Sequence, residues 1–491
     1  MTAPQPNAAR TLRRQVAPLV AVIFALLAII VILRGWQAAR AISSPYELGY
    51  GEAQVRLAAE AFSRGEPLYP SLSAAPYRLL NYPPLYPAVA ALAARLLGAG
   101  FAPGRILSWL ASLLTALVIG ALVRRETQRL DAALLAGGLY LASWNVDNVG
   151  HAYRVDSLAA LLSVTGLALI LRGGVGIWGG GLVFALAVLT RQSAVAAGLA
   201  GVVWLIGQKQ RRAAATFAAV WIGAAVIAYG ALTLATGGNF LTQAVLMLRT
   251  GWQAMRMLGF WGGFIRLYPV LLALGLVVGA FEWRRAGGPT APVLYALFAA
   301  LVSLSVGKSG SGENYLLETL IGLCLLAGLG WARMARPVVV RLLLLLQLVV
   351  MIPSWRVEAM AAALERQQRD AVSAMLPPAP APILSEDPGV LLANGRTVWL
   401  LPYEFTQASV QGYWDQAPLV RQIEAGRFAL IILQFDPWNA PRAPDGTYQY
   451  GRWTAGMVEA MRRRYRPVRQ VGYFLLLAPA SDAATGSPPP A

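Results

Sequence analysis

The residues of this sequence that could carry chemistry are charged and polar side chains next to long apolar segments. Glu47 and Glu52 lie on either side of Tyr50, shortly after the first such segment. A carboxylate in this position could act as a general base or bind a divalent cation. The structural alternative is an acidic residue in the first turn of a helix, where it interacts favourably with the helix dipole. Taken alone, the segment favours the structural interpretation.

A second and a third polar group each lie between two later apolar segments. Arg154 and Asp156 stand two residues apart, which is typical of a structural ion pair, and Asp156 could also cap the helix that follows it. Alternatively, Asp156 is a second carboxylate that faces a cation or an acceptor molecule. Arg191 and Gln192 belong to a Thr-Arg-Gln-Ser sequence, which is either a tight turn or a contact for phosphate.

The fourth group is a glycine-rich segment from Lys308 to Tyr315 that includes Asn314. Its glycines would let backbone N–H groups approach a ligand, and Lys308 would supply a positive charge. The spacing is not that of a Walker loop, and no predicted parallel strand precedes it, so nucleotide binding is not expected. Lys308 is one of two lysines among 41 basic residues, which favours a functional role over a flexible turn.

The composition indicates what scaffold must position these groups. Of the 491 residues, 57% are hydrophobic and 13% are charged, against about 45–50% and about 25% in soluble domains. This excludes a disordered protein, a coiled coil and an ordinary soluble enzyme, and predicts a polytopic α-helical membrane protein. The net charge of +18 lies largely at the ends of apolar segments, where basic residues orient helices. Nucleic acid is therefore not an expected partner.

Metal and disulfide chemistry are restricted by the small number of suitable residues. One cysteine, Cys324, excludes a disulfide framework and a cysteine-based metal cluster. One histidine, His151, excludes a zinc site built from several histidines. Any bound metal ion would be held mainly by carboxylates.

Eleven membrane-spanning helices are predicted from the apolar segments and from the charges between them. The basic residues Arg10, Arg13 and Arg14 precede the first span and place the N-terminus in the cytoplasm. Every short loop on the inner side is then basic, and the C-terminus is exported. The predicted spans are 17–33, 106–123, 132–146, 157–171, 177–190, 194–207, 213–235, 264–281, 290–306, 315–332 and 337–352.

Two further apolar segments, 82–98 and 239–262, are predicted to lie at the outer interface instead of crossing the membrane. If the first one crossed, Arg124 and Arg125 would move outside, and the charge pattern would fail in every later loop. The first outer loop is therefore long, at 34–105.

The chain changes character after the last span. A membrane part (1–352) is followed by a helical and proline-rich connector (353–382), a small exported α/β domain (383–480) and a disordered tail (481–491). Strands are predicted at 383–384, 397–401, 428–435 and 471–477. The domain also contains Asp387, Glu404, Asp415 and Asp436, whose spacing does not indicate catalysis.

The polar motifs, in this order, resemble the GT-C (C-fold) superfamily of integral-membrane glycosyltransferases, which includes protein O-mannosyltransferases and aminoarabinose transferases. The resemblance covers residues 17 to about 352 and rests on a series of short motifs. These are Gly49–Glu52, Gly65–Pro70, Asn81–Pro87, Gly104–Ser108, Arg154–Leu158, Leu189–Ser193 and Lys308–Tyr315.

The resemblance implies transfer of a sugar from a polyprenyl-phosphate carrier to an acceptor hydroxyl on the outer side, with inversion at the anomeric carbon. Glu52 matches the acidic motif that supplies the base or a metal ligand, and Asp156 matches the acid of the second outer loop. Glu52 by preference, or else Asp156, would accept the proton of the acceptor hydroxyl. Both are candidate ligands of a divalent cation, Mg²⁺ or Mn²⁺. However, Gly51 stands where many members have Asp, which counts against metal dependence.

Further residues are implied as substrate contacts. Lys308, Arg191 and Arg154 would stabilise the leaving phosphate; Arg191 stands where a lysine is common in the superfamily. The remaining candidate contacts are Glu47, Tyr50, Tyr82, Gln192, Asn314 and Tyr315. The acceptor could be a glycan, a lipid or a protein, and the implied location is the plasma or inner membrane.

Two other functions fit parts of the same pattern. A transporter or flippase for a lipid-linked glycan would use a charged site open to the membrane without chemistry. Against it, the spans contain few buried charges and no paired broken helices in matching halves. A membrane-anchored assembly protein would instead act through its exported domain.

Overall fold

The computed structural model describes the backbone of residues 6–352 and 355–480 and the side chains of residues 17–352 and 360–480. The side chains of Arg10, Arg13 and Arg14, which orient the first predicted span, lie outside this description. The predicted disordered tail, 481–491, lies outside it entirely.

Sixteen α-helices precede the C-terminal part in the described residues. They are α1 (Pro6–Ile42), α2 (Glu52–Ser63), α3 (Leu85–Leu97), α4 (Ala102–Thr127), α5 (Leu130–Leu141), α6 (Trp144–Val149), α7 (Asp156–Ile170), α8 (Val175–Thr190), α9 (Ala196–Gly207), α10 (Arg211–Ala235), α11 (Asn239–Ala244), α12 (Ala254–Leu267), α13 (Pro269–Ala286), α14 (Ala291–Ser303), α15 (Leu317–Arg333) and α16 (Pro337–Val350).

Helices form at all eleven predicted spans, but most of them are short. Among the described residues, four helices are long and apolar enough to cross a membrane: Ala17–Ile42, Ala102–Thr127, Arg211–Ala235 and Glu313–Arg333. Helices α12 and α13 would make a fifth span together, although they bend by 88° at their junction. The expectation of eleven full spans is therefore met only in part, because many helices are shorter than the roughly 20 residues that a bilayer requires.

Proline and basic residues mark the ends of several of these helices. Helices α4, α13, α14 and α16 carry proline in their first turn, where a missing N–H group costs nothing. Arginines occupy the last turns of α4, α13 and α15, where a positive charge is favoured by the helix dipole. The buried faces of the membrane helices form one large apolar cluster, which includes residues of α1 and of α16.

The segments predicted to lie at the interface form short helices. The first contains α3, whose Tyr86 donates a hydrogen bond of 2.8 Å to the carbonyl of Gly104 at the start of α4. Gly104 is required there, because a Cβ atom would overlap the ring of Tyr153. The second segment is divided between α11 and α12.

The C-terminal part forms a small α/β domain preceded by one long helix. Its helices are α17 (Trp355–Ser373), α18 (Pro388–Ala393), α19 (Pro402–Val410), α20 (Ala417–Glu424) and α21 (Ala455–Arg464). Its strands are β1 (Ile383–Ser385), β2 (Leu430–Leu433), β3 (Thr447–Tyr448), β4 (Trp453–Thr454), β5 (Tyr465–Val471) and β6 (Phe474–Pro479). The main sheet has the order β1-β2-β6-β5, with β1 and β2 parallel and the other pairs antiparallel.

The predicted strand at 397–401 is wrong. This segment runs into α19, and its Trp399 carbonyl accepts a hydrogen bond of 2.9 Å from the backbone N–H of Tyr77 in the first outer loop. Its apolar residues are therefore buried against another part of the chain instead of in the sheet. The edge strand β5 was not predicted, because Arg466, Arg469 and Gln470 interrupt its apolar residues and it contains Pro467.

The domain packs directly on the loops that join the membrane helices. Tyr46, Tyr77 and Met247, which come from those loops, belong to the same apolar cluster as the core of the domain. The side chain of Gln411 also donates a hydrogen bond of 3.2 Å to the carbonyl of Met247. The domain and the loops therefore share one apolar core. This core holds α19 against the loops at one end of the membrane helices.

Candidate active site

Three of the four polar groups singled out in the sequence meet around one cavity of about 260 Å³. Seven of the predicted substrate contacts line it: Tyr82, Arg154, Arg191, Gln192, Lys308, Asn314 and Tyr315. These residues are up to 233 positions apart in the chain, from 82 to 315, and the loops that follow different helices bring them together. A cavity with three basic side chains suits an anionic ligand.

Asp156 is buried next to this cavity, at the start of α7. Its Oδ2 atom accepts a hydrogen bond of 3.0 Å from Nε of Arg154, and its Oδ1 atom accepts one of 2.8 Å from the amide of Asn314. Nε of Arg191 lies 3.4 Å from the same Oδ1 atom. Asp156 does not cap α7 as the sequence suggested; it holds the two guanidinium groups that line the cavity.

Arg191 combines a fixed position with an unused donor. Its guanidinium lies 4.5 Å from the centre of the Tyr315 ring, and Nη1 donates to the carbonyl of Asn314 at 3.3 Å. Nη2 is buried and has no hydrogen-bond partner within the described residues. Because a buried unpaired donor on a charged group is costly, this nitrogen requires an acceptor such as a phosphate oxygen.

The segment from Lys308 to Tyr315 forms a wall of the cavity. Its start is anchored by a backbone bridge between Lys308 and Trp252. Gly310 has a φ of +80°, and a Cβ atom there would overlap the side chain of Tyr403 from the C-terminal domain. The ammonium group of Lys308 forms no ion pair with a described side chain, so its charge is available to a ligand.

Gln192 shapes the cavity from the side of α8. Its amide group donates to the carbonyl of Asn81 at 3.0 Å and to the carbonyl of Ala244 at 2.7 Å. It therefore connects the loop before α3 to the end of α11. Tyr82, next to Asn81, contributes an aromatic ring to the same wall.

Glu52 does not lie on this cavity. It is the first residue of α2, after Gly51, whose φ is +103°, and it is fully buried. Its Oε1 atom accepts from Nε of Arg105 at 3.0 Å and from the backbone N–H of Tyr153 at 2.5 Å. Its Oε2 atom accepts from Nη2 of Arg105 at 2.6 Å and from the backbone N–H of Leu48 at 2.7 Å.

Glu47 and Tyr50 lie on a second cavity of about 310 Å³ between the first outer loop and the C-terminal domain. Burial, together with the nearby charge of Asp387, raises the pKa of Glu47 to about 8. Its carboxylate accepts a hydrogen bond of 3.2 Å from the backbone N–H of Ala53. The structure therefore does not place Glu47 or Glu52 beside Arg191.

The C-terminal domain also lines the main cavity, which the sequence did not indicate. Tyr403, Glu404 and Gln407, all on α19, line it together with the loops of the membrane part. Glu404 is a carboxylate on this wall and is 6% exposed. The sequence offered no spacing signal, because α19 reaches the cavity only through the shared core described above.

The predicted metal ligands do not fit a divalent cation. The carboxylates of Asp156 and of Glu52 are each paired with guanidinium groups, whose positive charges repel a cation. In the residues that the structure describes, no three His, Cys, Asp or Glu side chains are grouped so as to hold an ion. The basic residues of the cavity favour an anion instead.

Comparison with known sequences finds a similarity in one part of the chain. A family model described as dolichyl-phosphate-mannose-protein mannosyltransferase matches residues 81–235. This range contains Tyr82, Arg154, Asp156, Arg191 and Gln192. No curated protein matches the chain in sequence.

Solved structures of membrane glycosyltransferases share the fold. ArnT from Cupriavidus metallidurans, bound to undecaprenyl phosphate, matches 97% of this chain and 100% of its own at 15% identity, with a TM-score of 0.58. The archaeal oligosaccharyltransferase AglB from Archaeoglobus fulgidus, in complex with an inhibitory peptide and a dolichol-phosphate, matches 95% of this chain and 75% of its own at 12% identity, with a TM-score of 0.52. The Archaeoglobus fulgidus oligosaccharyltransferase in complex with Zn and sulfate matches 90% of this chain and 71% of its own at 12% identity, with a TM-score of 0.52.

The family match includes four of the motifs on which the resemblance was based, from Asn81 to Ser193, and the structural matches also cover the C-terminal domain. The chain therefore has the fold of a multi-pass membrane glycosyltransferase, and its resemblance to the GT-C superfamily is confirmed.

Proposed function

We propose that this protein is a glycosyltransferase that moves a sugar from a polyprenyl-phosphate donor to a hydroxyl group of an acceptor. The observation that carries the proposal is the buried, unpartnered Nη2 atom of Arg191 at a cavity that also contains Arg154 and Lys308. A phosphate monoester or diester satisfies this set of donors, since guanidinium groups bind phosphate oxygens with charge-assisted hydrogen bonds. The family match and the fold support the same donor class.

In this proposal, the reaction takes place on the outer face of the plasma or inner membrane. The N-terminus is cytoplasmic and the C-terminal domain is exported, as the positive-inside rule requires for the basic loops at Arg124, Arg172 and Lys209. The cavity lies at the opposite ends of the helices from these loops, because Arg154 and Arg191 stand at the other end of α7 and α8 from Arg172.

The acceptor oxygen attacks the anomeric carbon from the face opposite the phosphate. The bond between that carbon and the phosphate oxygen breaks, and the anomeric centre is inverted by the same geometry as in inverting glycosidases. The lipid phosphate leaves with the bonding electron pair. Arg191, Arg154 and Lys308 stabilise the negative charge that develops on it, so this leaving group needs no proton.

Other residues around the cavity hold this arrangement in place. Asp156 and Asn314 fix the guanidinium groups, and Tyr82 and Tyr315 offer aromatic faces to the sugar or the lipid. Glu52 lies outside the cavity and supports the site indirectly, because its carboxylate fixes the side chain of Arg105 and the backbone of Tyr153. No step in this proposal requires a divalent cation.

The proposal is tested by measuring the release of polyprenyl phosphate from a panel of polyprenyl-phosphate hexoses and pentoses. The purified protein is used in lipid nanodiscs and compared with Arg191→Gln. Removing one preorganised donor to the leaving group is expected to lower turnover by roughly 10²–10³. Arg172→Gln is the matched control, because Arg172 is exposed near the other end of α8.

The alternative function gives a different result in the same experiment. A flippase for a lipid-linked glycan would release no polyprenyl phosphate from any donor of the panel, but it would move the donor across the bilayer of a liposome. That outcome would refute the transferase proposal.

A further inference from the structure

The C-terminal domain completes the cavity, which would otherwise be open on one side. Helix α19 begins at Pro402, and its first two turns place Tyr403, Glu404 and Gln407 on the cavity wall. Tyr403 contacts the glycine-rich segment through Gly310 and through a distance of 3.4 Å between its hydroxyl and that of Ser309. A domain that contributes a charged side chain to this wall can take part in the reaction.

Glu404 is held in one orientation by the first outer loop. Its Oε2 atom accepts a hydrogen bond of 2.7 Å from the hydroxyl of Tyr50, and this hydroxyl accepts one of 2.8 Å from the backbone N–H of Tyr403. The guanidinium of Arg452 lies 4.7 Å from the centre of the Tyr50 ring. The carboxylate also accepts a hydrogen bond from the backbone N–H of Glu404 itself, but no other described residue donates to Oε1, which keeps a lone pair for a ligand.

We propose that Glu404 is the general base of the transfer reaction and that Tyr50 is its positioning residue. This inference rests on the proposed function. As the acceptor oxygen forms its bond to the anomeric carbon, its proton passes to the carboxylate of Glu404. The bond from the anomeric carbon to phosphate breaks, and polyprenyl phosphate leaves with the electron pair. Atoms and charge balance without a cofactor.

The two carboxylates expected from the sequence are less suited to this role. Asp156 accepts hydrogen bonds at both oxygens from Arg154 and Asn314, and Arg191 lies beside it, so two guanidinium groups favour its charged form and make it a weak base. Glu52 is fully buried among four donors and does not line the cavity. Glu404 combines a place on the cavity wall with an oxygen that no other described residue uses.

The surroundings of Glu404 also make its carboxylate a stronger base than an ordinary one. Burial raises the pKa of its carboxyl group, while the hydrogen bonds from Tyr50 and from its own backbone N–H and the charges of Arg452 and Arg154 oppose this shift. A base with a raised pKa accepts a proton more readily than an ordinary carboxylate does. The groups that face it are Tyr50 from the first outer loop, Arg154 from the loop before α7, and Tyr403 and Arg452 from its own domain.

The first test compares Glu404→Gln with Glu459→Gln in nanodiscs, using the donor that the wild type consumes. A glutamine at 404 still accepts the hydrogen bond from Tyr50 but cannot take a proton. Turnover is expected to fall by roughly 10²–10⁴, with unchanged KM for the donor. Glu459 lies exposed on α21 of the same domain, so its variant should keep wild-type turnover.

Two further measurements separate a base from a structural residue. Azide attacks the anomeric carbon without losing a proton, so it should restore polyprenyl phosphate release by Glu404→Ala and yield a glycosyl azide. Tyr50→Phe should move the acidic limb of the rate profile to higher pH, because the carboxylate loses a hydrogen bond that lowers its pKa.

The outcomes distinguish this inference from the proposed function. If the wild type releases polyprenyl phosphate and Glu404→Gln does so within a few-fold, the assignment of the base is refuted and the transferase stands. A Glu404→Ala variant that still binds polyprenyl phosphate but is not rescued by azide also refutes it. If the wild type releases nothing, both proposals fail together.

Discussion

Replacing Glu52 by glutamine should destabilise the protein strongly and affect the chemical step little. Glu52 and Arg105 are both fully buried and form an ion pair of 2.6 Å. Each carboxylate oxygen accepts one bond from the guanidinium and one from a backbone N–H group, of Tyr153 or of Leu48. In either orientation, the NH₂ group of a glutamine would face one guanidinium nitrogen and one backbone N–H group.

The magnitude of this effect follows from the bonds that are lost. The guanidinium bond and the backbone N–H bond that would be lost both go to an ionised carboxylate, and each such bond contributes about 1.5–3 kcal/mol. Breaking a buried ion pair on one side generally costs about 3–5 kcal/mol, which agrees with the sum of the two. We therefore expect a clear fall in the temperature of thermal unfolding, measured by tryptophan fluorescence in detergent micelles.

Glu60→Gln is the matched control for this experiment. Glu60 also lies on α2 and forms an ion pair of 2.7 Å with Arg56, but its side chain is 28% exposed. A partly exposed pair of this kind contributes about 1 kcal/mol or less, so the control should unfold close to the wild type.

The assay of polyprenyl phosphate release decides between the two roles of Glu52. If Glu52 only supports Arg105 and the loop at Tyr153, the folded fraction of the variant should keep turnover within about tenfold of the wild type at saturating donor. A general base would instead lose roughly 10²–10⁴ in turnover with no matching loss of stability. A variant with wild-type unfolding temperature and no turnover would refute the structural role argued above.

Two further predictions concern residues around the second cavity and the glycine-rich segment. Because the pKa of Glu47 is raised to about 8 in the folded state, its contribution to stability is present at low pH and is lost as the pH rises through 8. Glu47→Gln, which keeps an acceptor for Ala53, should therefore unfold at a higher temperature than the wild type at pH 9, with a smaller difference at pH 5; an equal difference at both pH values would contradict the shift. Gly310→Ala should lower both stability and turnover, because the new Cβ would overlap Tyr403. Gly65→Ala, at a φ of +72° in open space, carries the same backbone strain without the overlap and should reduce stability but not turnover.

The sequence predicted the scaffold because hydropathy and charge act along the chain. The eleven helices were found from apolar segments and from arginines at their ends, such as Arg124 and Arg333. Helix lengths were harder to predict. Many ends lie at polar or proline residues inside otherwise apolar sequence, as at Pro269, where the chain bends by 88°. Hydropathy averages over such a bend and therefore reports one continuous segment.

The sequence predicted those site residues that stand out as polar or charged next to an apolar segment. Arg154, Arg191 and Lys308 were found because each interrupts or adjoins an apolar segment, and they line one cavity. The interpretation of Glu52 depended on its place in a motif. A motif does not reveal that Arg105 lies within 2.6 Å of its carboxylate, because that contact joins positions 53 residues apart.

The role proposed for Glu404 depends on a contact that local sequence cannot encode. Tyr50 and Glu404 are 354 positions apart, and they meet only because the core of the domain extends into the loops of the membrane part. If the domain carries the base, loosening its contact with the loops should slow transfer without weakening the binding of polyprenyl phosphate, since the basic residues belong to the membrane part. In such a division of roles, the membrane helices bind the donor and the C-terminal domain activates the acceptor. Acceptor specificity should then reside in the domain, where a change of residues leaves the phosphate site intact.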